Sequence, residues 1–217
     1  MDAFTKITSR MVPLPGDHID TDQIIPARFL KAITRDGFGE NLFYDKRFDS
    51  SGNPRPGFVL NDPRYQGQIL ISGMNFGCGS SREHAAWALH DYGFKAIVAP
   101  GFADIFRNNA LNNGLLPVEL PAALVTQLMD TAIANPELKL TIDLEKEELI
   151  LKPSVNNAEI RAAFRINPYK RQCLLKGFDD IDYLLSLRNQ ILAYEQKSLY
   201  QQINTPRHEK ENSSSSW

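Results

Sequence analysis

Between Gln68 and Leu120 three short apolar runs alternate with two helical segments, and no other feature restricts the fold as much. "QILISGMNF" is an apolar run suited to a buried strand. "SREHAAWALHDYG" reads as a helix closed by Gly93 at its C′ position. "KAIVAP" supplies a second strand, "FADIFRNNALNNG" a second helix ending at Gly114, and "LLPVEL" a third strand. Strand, helix, strand, helix, strand with short connections predicts parallel pairing through right-handed crossovers, the core of an α/β domain.

The flanks read differently. The opening third is turn-rich: "PLPGDHIDTDQIIPARFL" places Pro, Gly and Asp around short apolar pieces, and "FDSSGNPRPGF" is a loop. After the core, "PAALVTQLMDTAIANP" predicts a helix with Pro121 at N1. "LKLTIDLEKEELILK" alternates apolar and polar residues about a charged centre, as an antiparallel hairpin would. "NPYKRQCLLKG" predicts a helix capped by Asn167, and "DDIDYLLSLRNQILAYEQKSLY" a further one. The expected organisation is one domain over residues 1–200, with a helical C-terminal extension. The polar stretch 201–217, ending in a serine run, is expected to lack fixed structure.

Composition removes several function classes. With 217 residues and 42% hydrophobic content the chain can bury a core. A formal net charge of -2 gives no basic field for nucleic acid or an anionic membrane. No apolar stretch approaches the roughly 20 residues of a membrane span, and "MDAFTKITSRMVPLPG" lacks the apolar core of a secretory signal. Two cysteines, Cys78 and Cys173, make no disulfide framework and fit a reducing compartment, so a cytoplasmic location is expected.

The chemistry concentrates in "NFGCGSSREHAAWAL", Asn75 to Leu89. A strand, a glycine-rich turn and a helix point backbone N–H groups at an anion. Gly77 and Gly79 permit positive φ and close approach of a ligand to the backbone. A purely structural alternative is a capping box from Ser80 to Glu83. A Walker A loop would need Gly-Lys-Ser/Thr, and a dinucleotide fingerprint a third glycine where Glu83 stands. Arg82 argues for binding: a guanidinium in a first helical turn opposes the dipole, whereas a carboxylate ligand would use its bidentate donors.

These residues, with "GDHIDTDQIIP" and "FADIFRNNALNNGLLPV", resemble the swivel domain of the aconitase superfamily, and within it the small subunits of isopropylmalate isomerases. The similarity runs from about Pro15 through the late helices. It implies an α/β swivelling β/β/α domain with a mainly parallel central sheet, a smaller antiparallel element and C-terminal helices. It also implies a hydro-lyase that removes water from a hydroxy acid and returns it to the neighbouring carbon. By resemblance Ser80 is the base that takes the proton from carbon, Ser81 and Arg82 hold substrate carboxylate, and Asp22 belongs to the same site. Gly79 lets the backbone approach the substrate. Cys78 stands where aconitases often carry Glu, and reads as small-residue packing.

The resemblance further implies a 4Fe-4S cluster, for which the family uses three protein thiolates. This chain has two cysteines, far apart in sequence and without C-x-x-C, so the cluster is expected on a partner large subunit and no metal ligand is assigned here. His18, His84, His90 and His208 are read as structural or solvated. The segment after "TDQIIP" is expected to meet the substrate's variable group, with Phe29 and Leu30 offering apolar surface to an isopropyl group and Lys31 addressing a carboxylate. Anchoring of Phe29 and Leu30 in the core is the competing reading. The implied substrate is a hydroxy-dicarboxylate of leucine biosynthesis, 2-isopropylmalate being converted to 3-isopropylmalate. Homoaconitate, citraconate (methylmalate) and dimethylmalate dehydratases share the scaffold. An RNA-binding module is disfavoured by the acidic balance and the absence of a basic stripe interleaved with aromatics.

Overall fold

A computed structural model describes residues 1–30, 37–152 and 159–204, excluding the side chains of 198–204. Lys31 and most of the polar stretch 201–217 lie outside the described residues. The order is β1 (Lys6–Leu14), α1 (Thr21–Ile24), α2 (Tyr44–Arg47), β2 (Ile69–Ser72), α3 (Glu83–Asp91), β3 (Ala96–Ala99) and α4 (Asp104–Asn112). It continues with β4 (Leu116–Glu119), α5 (Ala122–Ala134), β5 (Lys139–Asp143), β6 (Glu148–Leu151), β7 (Ile160–Ala163), α6 (Pro168–Lys176), α7 (Asp180–Ser186) and α8 (Arg188–Asn204). The chain divides into two compact units, Met1–Asp179 and Asp180–Trp217.

One seven-stranded sheet in the order β4-β3-β2-β1-β5-β6-β7 organises the first unit. The three strands read from the sequence pair in parallel, Ile69 to Ala96 and Ala96 to Leu116. The hairpin forms as β5 and β6, and β7 extends it with antiparallel pairing. What the sequence did not announce is β1, which lies in the turn-rich opening and joins the two halves. Its first part, Lys6–Arg10, runs antiparallel to β5, and its second part, Met11–Leu14, parallel to β2. Each part therefore has one strand neighbour, which is why Pro13 is tolerated in what is nominally a central strand.

Strand alternation sends side chains to two cores. Met11, Ile69, Ile71, Ala96, Val98, Leu116 and Val118 pack with Val125, Leu128 and Ala132 of α5 and with the hairpin. Val12, Leu14, Leu70, Ile97 and Ala99 face α3, α4 and the buried Ile24, Ile25, Leu42 and Phe43. Burial of each Leu, Ile or Phe in these layers contributes about 1.5–3 kcal/mol.

Several ends differ from expectation by a definable cause. Pro121 is the N-cap of α5 rather than N1, because its ψ of 138° is extended and its carbonyl accepts the first helical bonds from Leu124 and Val125. Asn167 does cap α6, its side chain accepting from Tyr169 and Lys170. In the second unit the late helix is interrupted at Leu187, where the Ser186 hydroxyl donates to the Tyr183 carbonyl at 2.6 Å. Among the described residues no helix is long and apolar enough to cross a membrane.

Candidate active site

The loops that follow β1, β2 and β3 meet at the carboxyl ends of the parallel strands, where open α/β sheets bind ligands. Backbone bonds lace them together. His18 N–H donates to the Met74 carbonyl at 2.8 Å, Gly77 N–H to Ile19 at 2.7 Å and Thr21 N–H to Cys78 at 2.9 Å. On the other side Phe76 N–H donates to Gly101 and Ala103 N–H to Phe76, at 3.1 and 3.0 Å. The glycine loop is thus the middle of three loops.

Two glycines make that path possible. Gly77 has φ +76°, and a Cβ there would fall 2.2 Å from Phe106 Cγ of α4. Gly79 has φ +87°, with Asp20 Cβ 3.4 Å from where its own Cβ would be. Both conformations belong to the left-handed region that favours glycine. The rings of Phe76, Phe102 and Phe106 pack under the loop, Phe76 and Phe106 with centroids 5.2 Å apart.

The polar residues stand on this frame. Gly79, Ser80 and Ser81 are exposed, and neither serine hydroxyl has a hydrogen-bond partner among the described residues. Arg82 is largely covered, its side chain 15% exposed, and donates to the carboxylate of Asp22, which is 56% exposed. Asp22 lies in α1, whose N-cap Asp20 accepts from Gln23 N–H at 2.7 Å. The structure therefore gathers Asp22, Gly79, Ser80, Ser81 and Arg82 at one surface.

The capping box does not form. Arg82 is the N-cap of α3, extended at φ -136° and ψ 108°, so Ser80 lies two residues ahead of it. Glu83 accepts instead from Asn113 Nδ2 at 2.9 Å and Trp87 Nε1 at 3.3 Å. The cause is competition for the Glu83 carboxylate, which Asn113 and Trp87 occupy in place of the Ser80 N–H.

Phe29 and Leu30 follow α1 and pack, half-buried, against the core that contains α3 and α4. Phe29 is held by its neighbours, its centroid 5.1 Å from that of Tyr44 and 4.6 Å from the Arg28 guanidinium carbon. Arg28 is ion-paired with Asp45 and holds that carboxyl below the usual carboxylate range. Sequence reasoning missed Thr21 and the pairing of His18 Nδ1 with Asn75 Nδ2 at 3.0 Å. The sequence carries no signal for the latter pair; in the structure both residues take positive φ, 54° and 57°.

Two hollows among the described residues lie elsewhere. One of about 580 Å³ is lined by Ser9, Leu60, Gln68 and Phe94, at the amino ends of β2 and β3. Another of about 340 Å³ lies between α4 and the start of α6. Among the described residues the polar cluster itself is exposed, with anion donors and a carboxylate.

Residues 1–123 match the family described as the aconitase C-terminal domain. The 3-isopropylmalate dehydratase small subunit of Cytophaga hutchinsonii is 52% identical over 200 residues, which is 92% of this chain and 98% of that protein. The small subunit of the same name from Azobacteroides pseudotrichonymphae is 51% identical, over 92% of this chain and its own full length, 100%. Among solved structures, a 3-isopropylmalate dehydratase from Methanocaldococcus jannaschii superposes with a TM-score of 0.60 at 28% identity, covering 88% of this chain and 99% of that one.

Proposed function

The chain belongs to the family of 3-isopropylmalate dehydratase small subunits, and from that premise we propose that it supplies the proton-transfer half of a hydro-lyase site completed by a large subunit. The reaction interconverts 2-isopropylmalate and 3-isopropylmalate in leucine biosynthesis. Ser80 takes the proton from carbon, Ser81 and Arg82 hold a substrate carboxylate, Gly79 allows the substrate close to the backbone, and Asp22 orients Arg82. Phe29, Leu30 and Lys31 belong to the segment that meets the isopropyl end.

The observation that carries this reading is an exposed pair of serines set beside an arginine that is itself covered and ion-paired. A serine hydroxyl, like water, ionises far above neutral pH. A helix N-terminus contributes at most ~2 kcal/mol, or about 1.5 units. The rest requires a dry, preorganised surround, which the described residues do not give the exposed Ser80 hydroxyl. A second polypeptide that covers Ser80 would.

The donor set agrees with that division. Cys78 is half-buried in the glycine loop and Cys173 is buried in α6. Among the described residues no three His, Cys, Asp or Glu side chains are grouped to hold a metal ion. The residues present do not fit a 4Fe-4S cluster held by this chain, so the cluster is assigned to the large subunit. There it would accept the leaving hydroxyl as a Lewis acid.

The test is reconstitution with the large subunit under anaerobic conditions. Ser80→Ala is expected to lower kcat by about a hundred- to ten-thousand-fold, the range typical of a lost general base, with KM little changed. Turnover by the isolated chain, or by the Ser80→Ala complex at the wild-type rate, would overturn the reading.

A further inference from the structure

Thr21 is 2% exposed; its carbonyl accepts from Ile25 N–H within its own helix, while both of its donors bind the glycine loop. Its amide donates to the Cys78 carbonyl at 2.9 Å and its hydroxyl to the Ser80 carbonyl at 2.8 Å. The helix it begins does not need that hydroxyl, because Asp20 already caps it. The two bonds span the glycine at position 79, whose φ of +87° lies in the left-handed region that favours glycine. Thr21 closes the loop on either side of that pivot.

The second bond has a geometric consequence. The chain has no cis peptide among its described residues, and in a trans peptide the C=O and the following N–H point in opposite directions. Fixing the Ser80 carbonyl toward buried Thr21 therefore turns the Ser81 N–H away from it, toward the exposed side. Among the described residues that N–H has no hydrogen-bond partner, so it is available to an anion. The same bond fixes ψ of Ser80.

We propose that Thr21 is a positioning residue: through the Ser80 carbonyl it sets the Ser80–Ser81 peptide plane, so that the Ser80 hydroxyl and the Ser81 amide face the substrate together. This rests on the assignment of Ser80 as the base. Thr21 does not touch substrate; it acts through backbone that does.

The experiment compares Thr21→Val and Thr21→Ser in the complex with the large subunit, beside Ser80→Ala. Thr21→Val keeps the shape and removes the donor, and is expected to lower kcat about ten- to a hundredfold, the scale of a small misplacement of a reacting group. KM should rise less than kcat falls, the affinity for the large subunit should stay near wild type, and Thr21→Ser, which keeps the hydroxyl, should restore most of kcat. If Thr21→Val does not fold, Thr21→Ala against Thr21→Ser carries the same comparison. Wild-type kcat without the hydroxyl, while Ser80→Ala is inactive, would overturn Thr21's role alone. So would a failure of Thr21→Ser to rescue, since the methyl or the packing would then be what counts. Full activity of Ser80→Ala would remove the base assignment and this inference together.

Discussion

Arg82 donates to the carboxylate of Asp22 across a sequence separation of 60 residues, and the pair ties α1 to the start of α3. Arg82 is the covered member and Asp22 the exposed one. The guanidinium is thus held ready at the surface without being displayed on a flexible stem.

Asp22→Asn should separate function from stability. An ion pair with one exposed partner contributes about 0–1 kcal/mol, so the denaturation midpoint should move little. Catalysis in the assembled enzyme should suffer more, with kcat/KM falling about tenfold or more as Arg82 loses its orientation. A large loss of stability with intact kinetics would assign the pair to folding instead.

Arg82→Lys preserves charge but not the planar fork. Lysine presents one compact charge, so KM for the hydroxy acid should rise about tenfold or more while kcat changes less. Steady-state kinetics against substrate concentration separate the two parameters.

Gly77→Ala and Gly79→Ala pose a contrast within one loop. Both incur the cost of a left-handed residue, about 1–2 kcal/mol. Only at Gly77 does the new methyl also meet a ring, with Phe106 Cγ 2.2 Å away, so that variant should be the less stable in urea. Equal midpoints would mean that the loop and α4 can part without cost.

His90 gives a pH dependence. Burial, and then Lys95, whose Nζ lies 3.2 Å from the ring, push its pKa below the ordinary 6.5, against weaker opposing effects of Asp2 and Asp91. The unfolded chain therefore takes up a proton as pH falls through 6.5, while the folded ring stays neutral. This contribution to stability is complete above that pH and is lost as pH falls toward the folded pKa. His90→Gln should flatten the slope of stability against pH in that window, measured by urea titration at several pH values.

The parallel strands were legible because "LIS", "AIVA" and "PVE" are short runs bounded by glycine, proline or a helix signal. β1 was not, since its outer half is polar and carries "KITSR", and because Pro13 argues against a strand until its single-sided pairing is known. Of the site, Ser80, Ser81, Arg82 and Asp22 could be selected by residue type and resemblance. That Arg82 would cap α3 in an extended conformation could not, because the cause lies 60 residues away in Asp22. Thr21 was invisible for the same reason. A threonine ahead of an aspartate has no local signature, and its partner carbonyl belongs to another loop.

The hydroxyls of Thr8 and Thr141 meet at 2.9 Å where β1 runs beside β5. The outer half of β1 thus waits for a neighbour made more than a hundred residues later. Cutting the gene after residue 123, where the family match ends, would leave one half of β1 bare. The catalytic loops would then hang from an unfinished edge, prone to pair with any passing strand. A minimal version of this protein has to keep the hairpin, although no residue assigned to the reaction lies in it.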